Sequence, residues 1–412
     1  MSRLDNAMVF TPNMSLPVHR WFRYSAGFSA AWVADVIEER ERRLGPPNVL
    51  DPFVGSGTTL IASQQGGMPS VGLETHSLIA RIAGAKLSGW ADIVDEFDER
   101  GASILASAKP REWPDPPALM MKIYPPETLS ALCGLRDAIE ADRRGDDVDE
   151  LLWLALVAIL RVCSPVGTAQ WQYVLPNKKK ASAADPCSAF STQLAVMASD
   201  MRDVGARPDV PTTLLQSDAR TVEGVPQGWV DLVVTSPPYP NNYDYADATR
   251  IELTFLGDVE RWGDLQDAVR SHLMRSCSQH MVRYDAEPIL ESVELAPIRD
   301  ELRTVYGRLA EERETHGGKK NYHAMVVAYF HDLARCWHSL RRVCADDSEA
   351  LFVIGDSAPY GVYLPVDRWL GELALAAGFR SFDFTKLRDR NIKWKNRKHR
   401  VPLHEGILRV RG

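Results

Sequence analysis

The chain has 412 residues, 45% hydrophobic and 25% charged, an ordinary globular composition long enough for one large domain with insertions or for two domains. Its formal charge of −7 argues, as a bulk figure, against a polyanionic partner, because such affinity comes largely from Lys and Arg. The residues Met1 to Met8 carry no apolar signal region, and the most apolar stretch, 151–160, is half a membrane span bounded by acids and Arg161, so a cytoplasmic protein is expected.

In chain order, short apolar runs at Val49–Asp51, Pro69–Glu74, Thr213–Asp218, Val230–Thr235 and Ala350–Asp356 each end at a polar or acidic residue. They read as interior parallel strands whose carboxyl ends carry a site. Gly378–Phe384 and His404–Val410 alternate more and read as a closing pair nearer an edge. Helical patterns cover Gly57–Gln65, His76–Leu87, Asn321–Val343 and Val366–Ala377. The class expected is α/β, a Rossmann-like sheet formed by residues 1–89 and 211–412. Residues 90–210 have helical periodicity broken by prolines and are too long for a crossover loop, so a helical insertion domain is expected there. A charged, amphipathic second excursion spans 257–318.

Two segments carry the chemistry. Asp51-Pro-Phe-Val-Gly-Ser-Gly-Thr-Thr59 puts an acid at a strand end, then Gly55 and Gly57 at a turn that opens a helix. Glycines let the backbone approach a nucleoside, and the first amides of a helix accept a carboxylate. Glu74 ends the next strand, where an acid can reach ribose hydroxyls. Thr235-Ser-Pro-Pro-Tyr239 follows a second buried strand. Ser236 Oγ and the Pro237 carbonyl are acceptors that the prolines hold in place, and Tyr239 offers a stacking face.

Together the two segments resemble motifs I and IV of the DNA amino-methyltransferases, which use S-adenosylmethionine to methylate an exocyclic base nitrogen. The resemblance covers about residues 18–88, 212–256 and 321–412. It implies a cofactor site made by Asp51, Phe53, Gly55, Ser56, Gly57, Thr58, Thr59, Glu74 and Thr235. His19 to Ser29, with Tyr24, is similar to the segment that packs over the cofactor methionine, though simple edge covering is the other reading. Asp218 falls where the family meets the adenine amino group; a helix N-cap is its competing role. Ser236, Pro237, Pro238 and Tyr239 would be catalytic, acting on a base flipped out of double-stranded DNA. Members with serine in first place mostly modify the cytosine 4-amino group, and adenine 6-amino methylation is the alternative. RNA methylation and a catalytically silent DNA-binding subunit lie further off. A restriction endonuclease is the partner such an enzyme could have.

The order of the segments differs from the commonest arrangement of this type, in which the Ser-Pro-Pro-Tyr segment comes first. Target recognition is therefore expected in 90–210 or 257–318. From Lys386 onward there are ten Lys/Arg against two acids, a net of +8 that leaves the remaining chain at −15. Arg388, Arg390, Lys393, Lys395, Arg397, Lys398 and Arg400 read as phosphate contacts, with a solvated hairpin as the bland alternative. The six cysteines, Cys133, Cys163, Cys187, Cys277, Cys336 and Cys344, show no CxxC pair, so neither a disulfide framework nor a metal is expected. Pro186-Cys187 resembles the nucleophile of carbon-5 methyltransfer only superficially, since Ser236-Pro237 holds that place.

Overall fold

The computed structural model describes residues 11–24, 27–90, 92–168, 173–180, 182–281, 285–318, 320–390 and 401–412. Seven segments build the main sheet: β1 (Val49–Asp51), β2 (Ser70–Leu73), β5 (Thr212–Leu215), β6 (Val230–Thr235), β7 (Cys344–Gly355), β8 (Ser381–Arg390) and β9 (Leu403–Arg411). Their order is β5-β2-β1-β6-β7-β9-β8. The first five pair in parallel, β9 runs antiparallel to β7, and β8 antiparallel to β9. Every expected strand is present. The third run stops at Leu215, however, which leaves Asp218 in a turn three residues past the strand.

Burial on both faces explains the continuous apolar runs. Along β7, Ala350, Phe352 and Ile354 face one apolar layer, while Leu351 and Val353 face the other. Helices α13 (Tyr322–Val343) and α14 (Val366–Ala376) fill the first layer, where Trp337 stacks on Phe352 with ring centres 4.4 Å apart. Helix α1 (Ala30–Leu44) supplies Trp32, Val33 and Ile37 to the second. Its N-cap is Ser29, whose Oγ accepts the Trp32 amide, so an apolar stripe begins where the cap allows. Helices α2 (Thr58–Gln65) and α3 (Ser77–Leu87) follow β1 and β2 as crossovers.

Between α3 and β5 the chain forms α4 (Val94–Ser107), α5 (Ala118–Ile123), α6 (Pro126–Ala141), α7 (Asp147–Cys163) and α8 (Pro186–Val204). A separate antiparallel hairpin, β3 (Val166–Thr168) with β4 (Val174–Lys179), joins α7 to α8. Among the described residues, none of this segment enters the main sheet. Phe97, Leu151, Leu154 and Met197 share one apolar cluster with Ile79 and Ile82 of α3. Buried Asp200 of α8 accepts from the Val18 amide and the Trp21 indole. The insertion is therefore packed onto the sheet's own helices.

After β6 come α9 (Tyr245–Ala248), α10 (Arg250–Leu256), α11 (Glu287–Leu290) and α12 (Arg299–Thr315). Residues of the second excursion, Met274, Met281 and Leu302 among them, pack on α13. No described helix is long and apolar enough to cross a membrane.

Candidate functional site

Strand order reverses between β1 and β6, and a cleft opens at the carboxyl ends of these strands. Such a switch point is where open α/β sheets bind ligands. The two segments singled out in the sequence meet here. Parallel pairing sets Leu50 beside Val233, and Thr235 Oγ1 donates to Asp51 Oδ1 at 2.6 Å. Thr59 Oγ1 donates to the Val234 carbonyl at 3.1 Å. The loops are thus stitched at their roots by groups buried in the sheet.

The glycine loop has the conformation that its composition requires. Gly55 and Gly57 have φ of +53° and +96°, a region in which a side chain is strained. A Cβ on Gly55 would lie 2.9 Å from Tyr24 Cε1, so the backbone and the Tyr24 ring touch closely. Helix α2 starts at Thr58, which lines the cleft, so the positive end of its dipole lies at the cleft wall. Ser56, Thr58 and Thr59 are buried, Phe53 partly so, and the Phe53 amide donates to Asp51 Oδ1 at 2.9 Å.

Glu74 lines the cleft directly beside the glycine loop. Its two carboxylate oxygens accept the Gly55 and His76 amides, both at 2.9 Å. Burial pushes the Glu74 carboxyl up to about 7 and that of Asp51 up to about 6, while the hydrogen bonds to each pull the other way. Asp218 also lines the cleft. No helix begins at it: its Oδ1 accepts the Arg220 amide at 2.8 Å and the Arg220 guanidinium at 2.9 Å, closing a turn.

Raised carboxyl pKa values have a testable consequence. A folded-state value above the unfolded one means that the folded protein keeps a proton that the unfolded chain has released. Glu74 therefore destabilises the unliganded protein progressively as pH rises from the ordinary carboxyl range through about 7. It faces the cleft and is only partly covered, so water tempers the effect to on the order of 1–3 kcal/mol. His76 and Lys86, whose pKa values burial lowers to about 4 and about 7, act in the opposite sense. Urea unfolding of Glu74→Gln against the parent at pH 5 and 7.5 isolates the carboxyl: the variant should gain stability relative to the parent at the higher pH. An equal difference at both values would refute the assignment.

At the end of β6, Ser236 Oγ donates to the Val353 carbonyl at 3.2 Å. Pro237 is buried, whereas Ser236, Pro238 and Tyr239 are half-buried, and Ser236 and Pro238 line the cleft. Burial and then the Glu405 charge raise the Tyr239 phenol pKa, against Arg390 and a hydrogen bond with Ser236.

Several neighbours had no signal in the sequence. His272, Leu273 and Met274 of the second excursion form part of the cleft wall. They come from a charged, turn-rich stretch without a motif. Tyr173, beside β4, accepts the Asp244 amide at 2.6 Å, and its ring lies 5.5 Å from that of Tyr243. This contact joins the insertion to the segment after Tyr239. Of the basic segment, Arg388 and Arg390 lie in β8, where both pair with Glu405. Lys393, Lys395, Arg397, Lys398 and Arg400 lie outside the described residues. Cys187 is exposed at the start of α8, away from the cleft.

The sheet order, the glycine loop and the cleft define a Rossmann-like α/β fold. The Type II methyltransferase M.BsoBI of Geobacillus stearothermophilus is 24% identical over 420 residues, covering 92% of this chain and 82% of that protein. The Type II methyltransferase M.AvaI of Nostoc sp. is 25% identical over 401 residues, covering 90% and 80%. Fold and relatives agree on one class, a methyltransferase. No protein-family model matches the sequence. Among solved structures, the rRNA methyltransferase aviRa from Streptomyces viridochromogenes aligns with 99% of this chain and 94% of its own at 11% identity. The TM-score is 0.26, and no feature of the site rests on that likeness.

Proposed function

We propose that the protein is a site-specific DNA methyltransferase that uses S-adenosylmethionine to methylate the exocyclic 4-amino group of a flipped cytosine. The observation that carries this reading is the bond from Thr235 to Asp51, which holds the Ser-Pro-Pro-Tyr loop and the glycine loop at one cleft. The Type II relatives support DNA as the substrate.

The residues present fit the cofactor. Gly55 lets the loop backbone close on the Tyr24 ring, both lining the cleft, and the start of α2 suits the methionine carboxylate. Glu74 would take the ribose hydroxyls, Asp218 the adenine amino group, and Tyr24 would cover the methionine arm. When bound, S-adenosylmethionine supplies an electrophilic methyl group.

The chain's own work is to make a poor nucleophile competent. An exocyclic amine is weakly nucleophilic because its lone pair is delocalised into the ring. Ser236 Oγ and the Pro237 carbonyl accept its two N–H bonds as the nitrogen becomes tetrahedral, which favours the transition state over the ground state. Ser236 donates its own proton to Val353, which leaves a lone pair of Oγ for the amine beside its contact with Tyr239. Tyr239 stacks on the extruded ring. No covalent intermediate with the protein is required.

Sequence choice is assigned to the insertion, residues 90–210, whose Tyr173 anchors it beside the reacting loop, with 257–318 the second candidate. Arg388 and the basic segment from Lys393 to Arg400 would hold phosphates without reading bases. One experiment tests the base and this division together: methylation-sensitive sequencing, with nucleoside mass analysis, of DNA from cells expressing the chain or chimeras in its 90–210 segment. We expect 4-methylcytosine in one motif, and a changed motif in the chimeras. A 6-methyladenine product would overturn the base, and unchanged motifs would move recognition elsewhere.

A further inference from the structure

The register of the β8–β9 pair slips by one residue between Lys386 and Arg388. A bulge of this kind re-aims the side chains beyond it. Past it, Arg388 and Arg390 both meet Glu405, which is only 4% exposed. Their fates then differ. Arg388 remains 45% exposed and suits a phosphate, whereas Arg390 is 13% exposed. Arg390 Nε lies 3.2 Å from Glu405 Oε2, and its Nη1 donates to the Asp356 carbonyl at 2.7 Å. So fixed, the guanidinium carbon stands 5.2 Å from the centre of the Tyr239 ring.

The end of β7 leaves room for this contact. A Cβ on Gly355 would come within 2.7 Å of Arg390 Nη1 and 3.1 Å of Tyr239 Cε2. Backbone, guanidinium and phenol ring thus close on one another at a point where a side chain would have to displace the guanidinium.

We propose that Arg390, locked by Glu405 and the Asp356 carbonyl, is a positioning residue that backs one face of Tyr239 and so orients the ring on which the target base stacks. This proposal rests on Tyr239 being that stacking platform. Arg390 acts through the tyrosine and holds no phosphate. A planar fork with two fixed partners does this, and a lysine, which is a flexible point charge, does not.

The test uses the full-length chain and a duplex carrying the target site, with single-turnover methylation and DNA affinity measured at several salt concentrations. Arg390→Ala should slow single turnover by on the order of tenfold to a hundredfold, with DNA affinity and its salt slope unchanged. Arg390→Lys, which keeps the charge, should be equally slow. In a Tyr239→Ala background, Arg390→Ala should add no more than roughly twofold, since the two residues act as one unit. Gly355→Ala, which crowds the same contact, should reproduce the slow turnover and serves if Arg390→Ala does not fold. Weakened DNA binding with a flattened salt slope and an unchanged rate would make Arg390 a phosphate contact. An undiminished Arg390 effect in the Tyr239→Ala background would also overturn the positioning role. Wild-type turnover by Tyr239→Ala alone would instead remove the platform itself.

Discussion

Ser236→Ala should lower single-turnover methylation by on the order of 10²–10³-fold, about 2.7–4 kcal/mol of transition-state stabilisation, with cofactor affinity unchanged. The serine stands at the end of β6, its proton already committed to the Val353 carbonyl. In the proposed mechanism, removing the hydroxyl deletes an acceptor that matters only as the amine becomes tetrahedral, so the loss belongs in the rate. Tyr239→Ala should cost less, about 1–3 kcal/mol, the worth of one base stacked on an aromatic ring. Tritium transfer to duplex DNA gives the rate, and calorimetry gives cofactor affinity. A wild-type rate in either variant would falsify the assignment of that residue.

Gly55→Val should abolish detectable S-adenosylmethionine binding before any DNA is added. The residue has φ +53°, and a Cβ there would meet Tyr24 Cε1 at 2.9 Å. A β-branched residue in that backbone region costs on the order of 1–2 kcal/mol locally, and its side chain would displace the Tyr24 ring that lines the cleft. Gly57→Val, at φ +96° and against Ile61, should weaken binding and also lower stability, since Gly57 is the N-cap of α2. Calorimetry together with thermal unfolding separates the two effects. In a Tyr24→Ala background the clash is gone and only the backbone strain remains, so Gly55→Ala should lower affinity by a smaller factor there than in the parent. An equal factor in both backgrounds would mean that the clash with Tyr24 is irrelevant to the site.

The sequence by itself determined the class of fold and the two loops that meet at the cleft. Interior parallel strands are buried on both faces, so their apolar runs are continuous and legible, as at β6 and β7. The glycine loop and Ser-Pro-Pro-Tyr are short-range devices, readable because a turn of positive φ and a proline-fixed carbonyl are set by adjacent residues. Tertiary structure alone decided what reaches those loops from elsewhere. His272 to Met274 form cleft wall because the second excursion packs on α13, a contact with no period to announce it. The insertion reads as a separate helical segment, yet its core runs on into α3, since an apolar helix face does not say which partner will cover it. Arg390 reads as one more cation in a basic run. A single register slip against β9 sets it beside Glu405 and Tyr239 instead, and pairing register between distant strands is a property of the folded sheet.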